Sequence, residues 1–477
     1  MIAFVIETVQ WFCLVYMAAV NTGYIVLSGI SFVVLGRYSQ RHSLDTPQVY
    51  SEFEPPVSVI VPAYNEASTV VTTVRSLLQL RYPQFEVIVV NDGSTDETLS
   101  VLTHAFQLRQ FPEALRVRLR TARVRGMYRS QTCAELRVID KENGGKADAM
   151  NAAINAARYP LFCALDADGI LQPDSLRRAV RPFLEDARTV ASGGVVRIAN
   201  GCDVVGGWLL RPGVPRHPLA LLQVVEYCRA FLFGRLGWNS LNSVLLISGA
   251  FGVFQKELVI EAGGYGAGLA GEDMELVLRL HRRLREAKQA YRITFVPDPV
   301  CWTEAPESLR VLRRQRVRWQ RGLCESLTMH SGLLFGWRGG FLGWVAFPFA
   351  LIFECLSPIV EVTGYAVSLI GYFTGHVDAL RATGFLIVSV GLGILLSAGS
   401  LLLDEIAYHT YTSPRQLLRL IVASIGENFG YRQLNALWRL EGLVKWAAGS
   451  RLVWGDMTRS AGWSADLTAV RPPGNGS

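Results

Sequence analysis

What the sequence lacks narrows its function first. Its eight cysteines, Cys13, Cys133, Cys163, Cys202, Cys228, Cys301, Cys324 and Cys355, stand apart from one another, with no C-x-x-C pair. That argues against a disulfide scaffold and a structural zinc site, and fits small buried hydrophobes in a reducing compartment. There is no Walker lysine loop and no G-x-G-x-x-G, so ATP hydrolysis and dinucleotide binding both lose their usual grounds. The N-terminus has neither the positive start nor the small-residue cleavage site of a secretory signal. Charge is scarce, at 18% of 477 residues against 50% hydrophobic, with a mean hydropathy of +0.25. Such a chain is too apolar to be wholly soluble. The net charge of +7 does not point to nucleic acid, because the basic residues are scattered or abut apolar runs and no stacked-aromatic RNA motif accompanies them.

Long apolar runs are what the chain has instead. From Ile2 to Leu35 the only charge is Glu7, and Arg37 and Arg41 follow at once. A spanning helix needs roughly 20 apolar residues, so 1–36 reads as a retained anchor with the following chain inside. Apolar zones at 341–373, broken softly at Ser357-Pro358, and at 384–403 make 340–404 a pair of spans joined by an outside loop at 375–383. The segment 417–438 carries Arg419, Glu427 and Arg432. Each costs roughly 2.5 to 3.5 kcal/mol near a bilayer centre while each Leu or Ile returns about 0.5, so an interfacial helix is expected there. Residues 405–477 therefore read as interfacial helices with a basic tail (Lys445, Arg451, Arg459), giving three spans, with four as the alternative. Glu354 and Glu361, seven residues apart, would share a helix face. Two readings stay open for them: lining a polar path through the bilayer, or lying near its interface.

Between these zones, residues 53–325 alternate strand and helix patterns. "VSVIVP" (57–62) and "FEVIVVND" (85–92) are apolar runs of the buried parallel-sheet type, and Val70, Val71, Val74, Leu77 and Leu78 between them fall on one helical face. "LRVID" (136–140), an Ala-rich helix from Lys146, and "LFCALDAD" (161–168) continue the alternation. The expected fold is α/β with a doubly wound, mostly parallel sheet, whose ligands bind beyond the carboxyl ends of its strands.

Polar groups gather at those ends: "PAYNE" (62–66), "NDGSTDE" (91–97) and "DAD" (166–168). Any one could be an ordinary turn or cap, but three on one sheet edge point to a site. Asp166 and Asp168 can converge on a divalent cation, Mg²⁺ or Mn²⁺. A diphosphate beside bare carboxylates would be repelled by roughly 1 to 4 kcal/mol per close pair, so a cation there would relieve the conflict and assist a departing nucleotide diphosphate. "NGGK" (143–146) opens a helix whose amides, with Lys146, are placed to hold phosphate. Glu272 and Asp273 begin another helix. Acids are favoured in a first turn, but displacement of a nucleotide diphosphate by a hydroxyl would also need a base for that hydroxyl, and Asp273 is the candidate.

Taken in order, "VSVIVPAYNE", "VIVVNDGSTDET", "ENGGKADAMNAAI", "ALDADG", "SGAFGVF", "GEDMELVLRL" and "QRVRWQRG" resemble the processive family 2 inverting glycosyltransferases, the cellulose, chitin, hyaluronan and poly-N-acetylglucosamine synthases, over about 55–325. The resemblance implies a GT-A catalytic domain on the cytosolic face of the plasma membrane, flanked by transmembrane and interfacial helices, using a UDP-sugar with Mg²⁺ or Mn²⁺. By position, Ala63, Tyr64, Glu66 and Asp92 would line the uridine pocket, Lys146 and Asp166 would contact the diphosphate, Asp168 would hold the metal, and Asp273 would be the base beside Glu272. Ser248 and Gly249 would belong to the acceptor segment, where Ser248 replaces the cysteine of cellulose and hyaluronan synthases and looks closer to the poly-N-acetylglucosamine type. Gln315, Arg318 and Trp319 match Q-x-x-R-W, in which Arg contacts the diphosphate and Trp stacks under the acceptor sugar. The neighbouring Arg310, Arg313, Arg314, Arg316 and Arg321 are expected to be interfacial charge. The expected partners are a UDP-sugar, a polysaccharide or glycolipid acceptor, membrane lipid and, because few spans argue against a self-contained pore, accessory export subunits. Residues 107–133 read as an Arg-rich solvated or lipid-facing loop without chemistry. Competing readings are a single-addition transferase acting on a lipid acceptor and a non-catalytic channel or scaffold subunit.

Overall fold

The computed structural model describes residues 2–43, 54–376, 383–384, 387–411, 413–450 and 464–465. Contacts divide the chain into two units. One holds the described residues within Met1–Asp45, His217–Leu245 and Glu307–Gly455, the other those within Thr46–Arg216, Leu246–Pro306 and Asp456–Ser477. The expected continuous domain over 53–325 is thus interleaved: by contacts, 217–245 and 307–325 go with the helical unit.

The α/β unit is built on β1 (Val57–Ala63), β2 (Phe85–Asp92), β3 (Leu108–Gln110), β4 (Val124–Ser130), β5 (Leu136–Lys141), β6 (Leu161–Leu165), β7 (Ile170–Leu171), β8 (Thr189–Ile198), a short β9–β10 hairpin (Asp203–Val205, Trp208–Arg211), β11 (Phe251–Gln255) and β12 (Arg292–Thr303). Ten of these form one sheet in the order β3, β4, β5, β2, β1, β6, β11, β8, β12, β7. The centre, β5-β2-β1-β6, is parallel, as the apolar runs led one to expect, and β8 pairs with β12 in parallel. Antiparallel strands, β4 on one side and β11 on the other, bracket that centre. Val57, Val59, Ile60 and Val61 of β1 are fully buried, each contributing about 1.5 to 3 kcal/mol as an upper bound.

Two helices lie where the periodicity put them. Val70–Leu77 buries Val70, Val74 and Leu77, and the Ala-rich Lys146–Ala156 packs closely on β1 and β2. The 107–133 insertion differs from expectation. It supplies β3 and β4 to the sheet edge, with Leu108 and Met127 buried, while 111–123 between them is a largely exposed loop held down at buried Leu119.

In the helical unit, Ile2–Ser43 forms one helix, of which Phe4–Tyr38 is long and apolar enough to cross a bilayer. Leu342–Cys355 and Ser357–Phe373 reach span length only together, across a 41° bend. Among the described residues no other helix qualifies. The zone at 384–403 includes residues outside the described set, and in it Ile387–Gly391 continues directly into the helix Leu392–Tyr408. The bend falls between Glu354 and Glu361: Tyr24 donates to Glu354 at 3.3 Å, and Ser357 donates to Glu361.

The 417–438 segment is two helices, Pro414–Gly426 and Tyr431–Ala447. Its buried Glu427 is ion-paired with Arg229 and accepts from Ser397, while Arg432 donates to Asn428 at 2.8 Å. The cost per charge reckoned from sequence assumed lone charges, and here Glu427 and Arg432 have partners within the unit. The tail residues Arg451 and Arg459 lie outside the described residues.

Candidate functional site

β1, β2 and β6 run parallel, so "PAYNE", "NDGSTDE" and "DAD" leave the sheet at one edge. The first two are knit together. Asn65, in a left-handed conformation (φ 55°) that Asn tolerates better than most residues, accepts from the Thr95 and Asp96 amides at 2.8 and 3.3 Å, and its own amide donates to Ser94 Oγ at 3.0 Å. The Glu66 amide donates to Thr98 Oγ1 at 2.9 Å, while its carboxylate accepts from Thr69 at 2.7 Å. Ala63 is buried beneath this joint and Tyr64 stands 44% exposed above it. Asn65, inside "PAYNE", is thus the residue that ties the two loops, and its tolerance of the left-handed conformation is the signal for it in the sequence.

Asp92 is buried and faces inward. Its carboxylate pairs with Lys141 and accepts the Gly144 and Gly145 amides at 3.0 and 2.7 Å. Gly93 (φ 66°) follows, where a Cβ would lie 2.6 Å from the Asn143 nitrogen, so only glycine fits this close approach. Two amides assigned to phosphate from sequence are therefore bound to Asp92, and Lys146 is what the loop presents.

Lys146 Nζ donates to Asp166 Oδ1 at 2.5 Å and to the Gly249 carbonyl at 3.2 Å, with Glu272 Oε1 at 3.7 Å. Burial would lower its pKa, but Asp166, Glu272 and Asp273 outweigh burial and hold it above the ordinary lysine value. Across the Gly249 peptide, the Gly249 amide donates to Asp273 Oδ2 at 2.9 Å, and Asp273 Oδ1 accepts the Met274 amide at 2.9 Å. A single glycine thus joins the candidate base to the lysine. Ser248 carries the turn, its carbonyl accepting the Phe251 amide at 3.0 Å.

The "DAD" loop is held from both sides. Thr73 donates to the Ala167 carbonyl at 2.7 Å and Thr303 donates to the buried Asp168 at 3.0 Å. Burial, with Asp168 and Asp166 nearby, raises the Cys301 thiol well above its ordinary value, so it stays protonated. Among the described residues no group of three or more His, Cys, Asp or Glu assembles to hold a metal. Asp166, which accepts from Lys146, and Asp168, which accepts from Thr303, are two hard carboxylates one residue apart, the ligand type and number that Mg²⁺ takes beside substrate phosphates.

Gln315, Arg318 and Trp319 lie on the helix Leu309–Met329 of the helical unit. Trp319 is 40% exposed, and the Arg316 guanidinium sits 4.4 Å from its ring centre. Arg316 is buried and pairs with Glu226 at 2.6 Å, which corrects its expected role as interfacial charge: it stacks on the tryptophan and is fixed from behind.

The α/β unit therefore gathers Asp166, Lys146, Gly249, Glu272 and Asp273 in one cluster, with Asp92 supporting its loop and Asp168 adjoining it. Comparison with known proteins identifies the family. The chain is 28% identical over 288 residues to a poly-beta-1,6-N-acetyl-D-glucosamine synthase of Staphylococcus aureus, a stretch that is 60% of this chain and 59% of that protein. It is 27% identical over 272 residues to the Staphylococcus epidermidis protein of the same name, covering 57% of this chain and 55% of that one. The chain thus spans well under two thirds of these relatives. A mannosyltransferase of Pyrobaculum calidifontis, solved with GDP-Man and Mn²⁺, superposes on 87% of this chain and 99% of its own at 19% identity and a TM-score of 0.48. Staphylococcus aureus TarS with UDP-GlcNAc covers 79% of this chain and 92% of its own, at 15% identity and a TM-score of 0.37. The signature of the "Glycosyltransferase like family 2" matches residues 55–322, more than half of the sequence, and the chain belongs to that family, as an α/β enzyme of the GT-A kind.

Proposed function

We propose that this chain is a membrane-anchored polysaccharide synthase that moves sugar from a UDP-sugar to the end of a growing polymer with inversion. N-acetylglucosamine is the first donor sugar to test, an expectation supported by the names of the relatives and by Ser248. The observation that carries the reading is Asp273 held beside Lys146 and Asp166 across one glycine peptide. Asp273, with both oxygens aligned by backbone amides, takes the proton of the acceptor hydroxyl. Lys146 neutralises phosphate oxygens, and the loops joined by Asn65 offer Tyr64 and Glu66 to the nucleoside. Asp166 and Asp168 would hold Mg²⁺ or Mn²⁺, which supplies charge neutralisation to the departing UDP. The Phe4–Tyr38 helix anchors the chain, with the α/β unit on the cytosolic side where nucleotide sugars are made.

Protein purified in detergent is supplied with UDP-N-acetylglucosamine, UDP-glucose or UDP-glucuronate and Mg²⁺ or Mn²⁺, and UDP release and product length are measured. UDP release with a ladder of products supports the proposal. A single added residue assigns the chain to lipid-linked transfer, and no release from any of the three donors refutes UDP-sugar chemistry.

A further inference from the structure

Lys141 closes β5 directly opposite Asp92 of β2, and its side chain is fully buried. An ammonium there is costly unless each N–H finds an acceptor. All three do: Lys141 pairs with Asp92, with Asp148 at 2.6 Å, and donates to the Glu142 carbonyl at 2.6 Å. These acceptors sit at both ends of one short segment. Asp92 holds the Gly144 and Gly145 amides, and Asp148 lies in the first turn of the helix that Lys146 opens. Asp148 also accepts the Ala122 amide at 3.0 and 3.2 Å, and the Glu142 amide donates to the Arg123 carbonyl at 2.9 Å, so the Arg-rich insertion is latched to the same segment.

We propose that Lys141 is a positioning residue for the donor site: by clamping Asp92 and Asp148 it fixes the 142–146 turn and so delivers Lys146 to Asp166 and the Gly249 carbonyl. The part played by Lys146 rests on the function proposed above, whereas the clamp itself does not. Charge counting supplies the test. Asp92, Lys141 and Asp148 sum to a net charge of −1. Lys141→Met leaves two carboxylates facing a buried methylene, and the added Asp148→Asn returns the sum to −1 without restoring the donor to Asp92.

The full chain is compared as wild type, Asp148→Asn and Lys141→Met/Asp148→Asn by melting temperature, by amide hydrogen exchange over 142–146, and by KM and kcat for the UDP-sugar. The double variant is expected to fold but melt several degrees below the wild type, because buried Asp92 keeps its charge without Lys141, to exchange the Gly144 and Gly145 amides at least tenfold faster while the central β1 amides stay protected, and to raise donor KM about tenfold with a smaller change in kcat. Asp148→Asn alone keeps wild-type exchange. In a Lys146→Met background the KM effect of the double change should vanish, since Lys141 acts through Lys146. Wild-type protection of both glycine amides in the double variant, or a KM effect that persists undiminished without Lys146, overturns the proposal. Absence of UDP-sugar turnover in the wild type would instead count against the proposed function, while the exchange measurement still judges the clamp.

Discussion

Gly249→Ala tests how closely the base and the lysine are set. An added Cβ would lie 2.9 Å from Lys146 Nζ, 3.2 Å from Asp273 Oδ2 and 3.6 Å from Asp273 Cβ. Comfortable contacts to carbon begin near 3.5 Å, so the first is short by about 0.6 Å and the second by about 0.3 Å. Neither neighbour moves freely, because Lys146 is tied to Asp166 at 2.5 Å and Asp273 accepts the Gly249 and Met274 amides. Overpacking of this kind costs about 1 to 3 kcal/mol. Here the strain falls on the proposed base and the proposed phosphate-binding lysine rather than on the core. Displacement of a catalytic group by a fraction of an ångström up to 1 Å costs up to about 10²-fold in rate. Steady-state UDP release should therefore fall roughly 10- to 100-fold while the melting temperature drops by only a few degrees. Gly252→Ala, whose Cβ would meet Ile247 at 2.5 Å and Phe254 at 2.9 Å in the sheet, is the contrast: it should lower the melting temperature more. Turnover of Gly249→Ala within twofold of wild type would refute the placement of Asp273 and Lys146 about this peptide.

Further outcomes are expected. Arg316→Met strips Glu226 of its buried partner and should destabilise by about 3 to 5 kcal/mol, with much of the loss recovered by Glu226→Gln in the same chain, as read from detergent melting curves. For Glu113, burial would raise the pKa, but Arg158, Arg137 and Arg129 hold it down at about 2. A depressed carboxylate stabilises fully above its unfolded value, near 4.5, and the contribution is lost as pH falls through the folded one. The melting temperature of the wild type should thus fall between pH 4.5 and 2 more steeply than that of Glu113→Gln. Seven cysteines are buried and Cys133 is partly exposed, so a water-soluble maleimide should modify one thiol per native chain, found at Cys133 by peptide mapping.

Much of the α/β core was legible because its central strands are buried on both faces and so read as unbroken apolar runs: β1, β2, β5 and β6 lie within a residue or three of the segments named from sequence. The flanking strands were harder. β4, with Arg125 and Arg129 along it, looks like a polar loop until its pairing with β5 is known, and β12 carries two prolines that break the strand signal and mark its register shifts. The carboxylates at the strand ends could be named, but not which way they face. Asp92 turns into the fold toward Lys141, a residue with no motif to mark it, because the pairing depends on register across β2 and β5. In the helical unit, hydropathy could not anticipate that Glu427 meets Arg229, since that depends on tertiary packing, whereas the bend between Glu354 and Glu361 lies where Ser357-Pro358 already breaks the apolar run.

The measurement that bears most directly on the central claim is UDP release by Asp273→Asn beside the wild type, at saturating UDP-N-acetylglucosamine and Mn²⁺, with melting temperature followed in parallel. Loss of general-base catalysis is worth roughly 10² to 10⁴ in rate, so turnover should fall by at least 100-fold in a protein that still folds. A folded Asp273→Asn protein that keeps more than a tenth of wild-type turnover would contradict the assignment of Asp273 as the base.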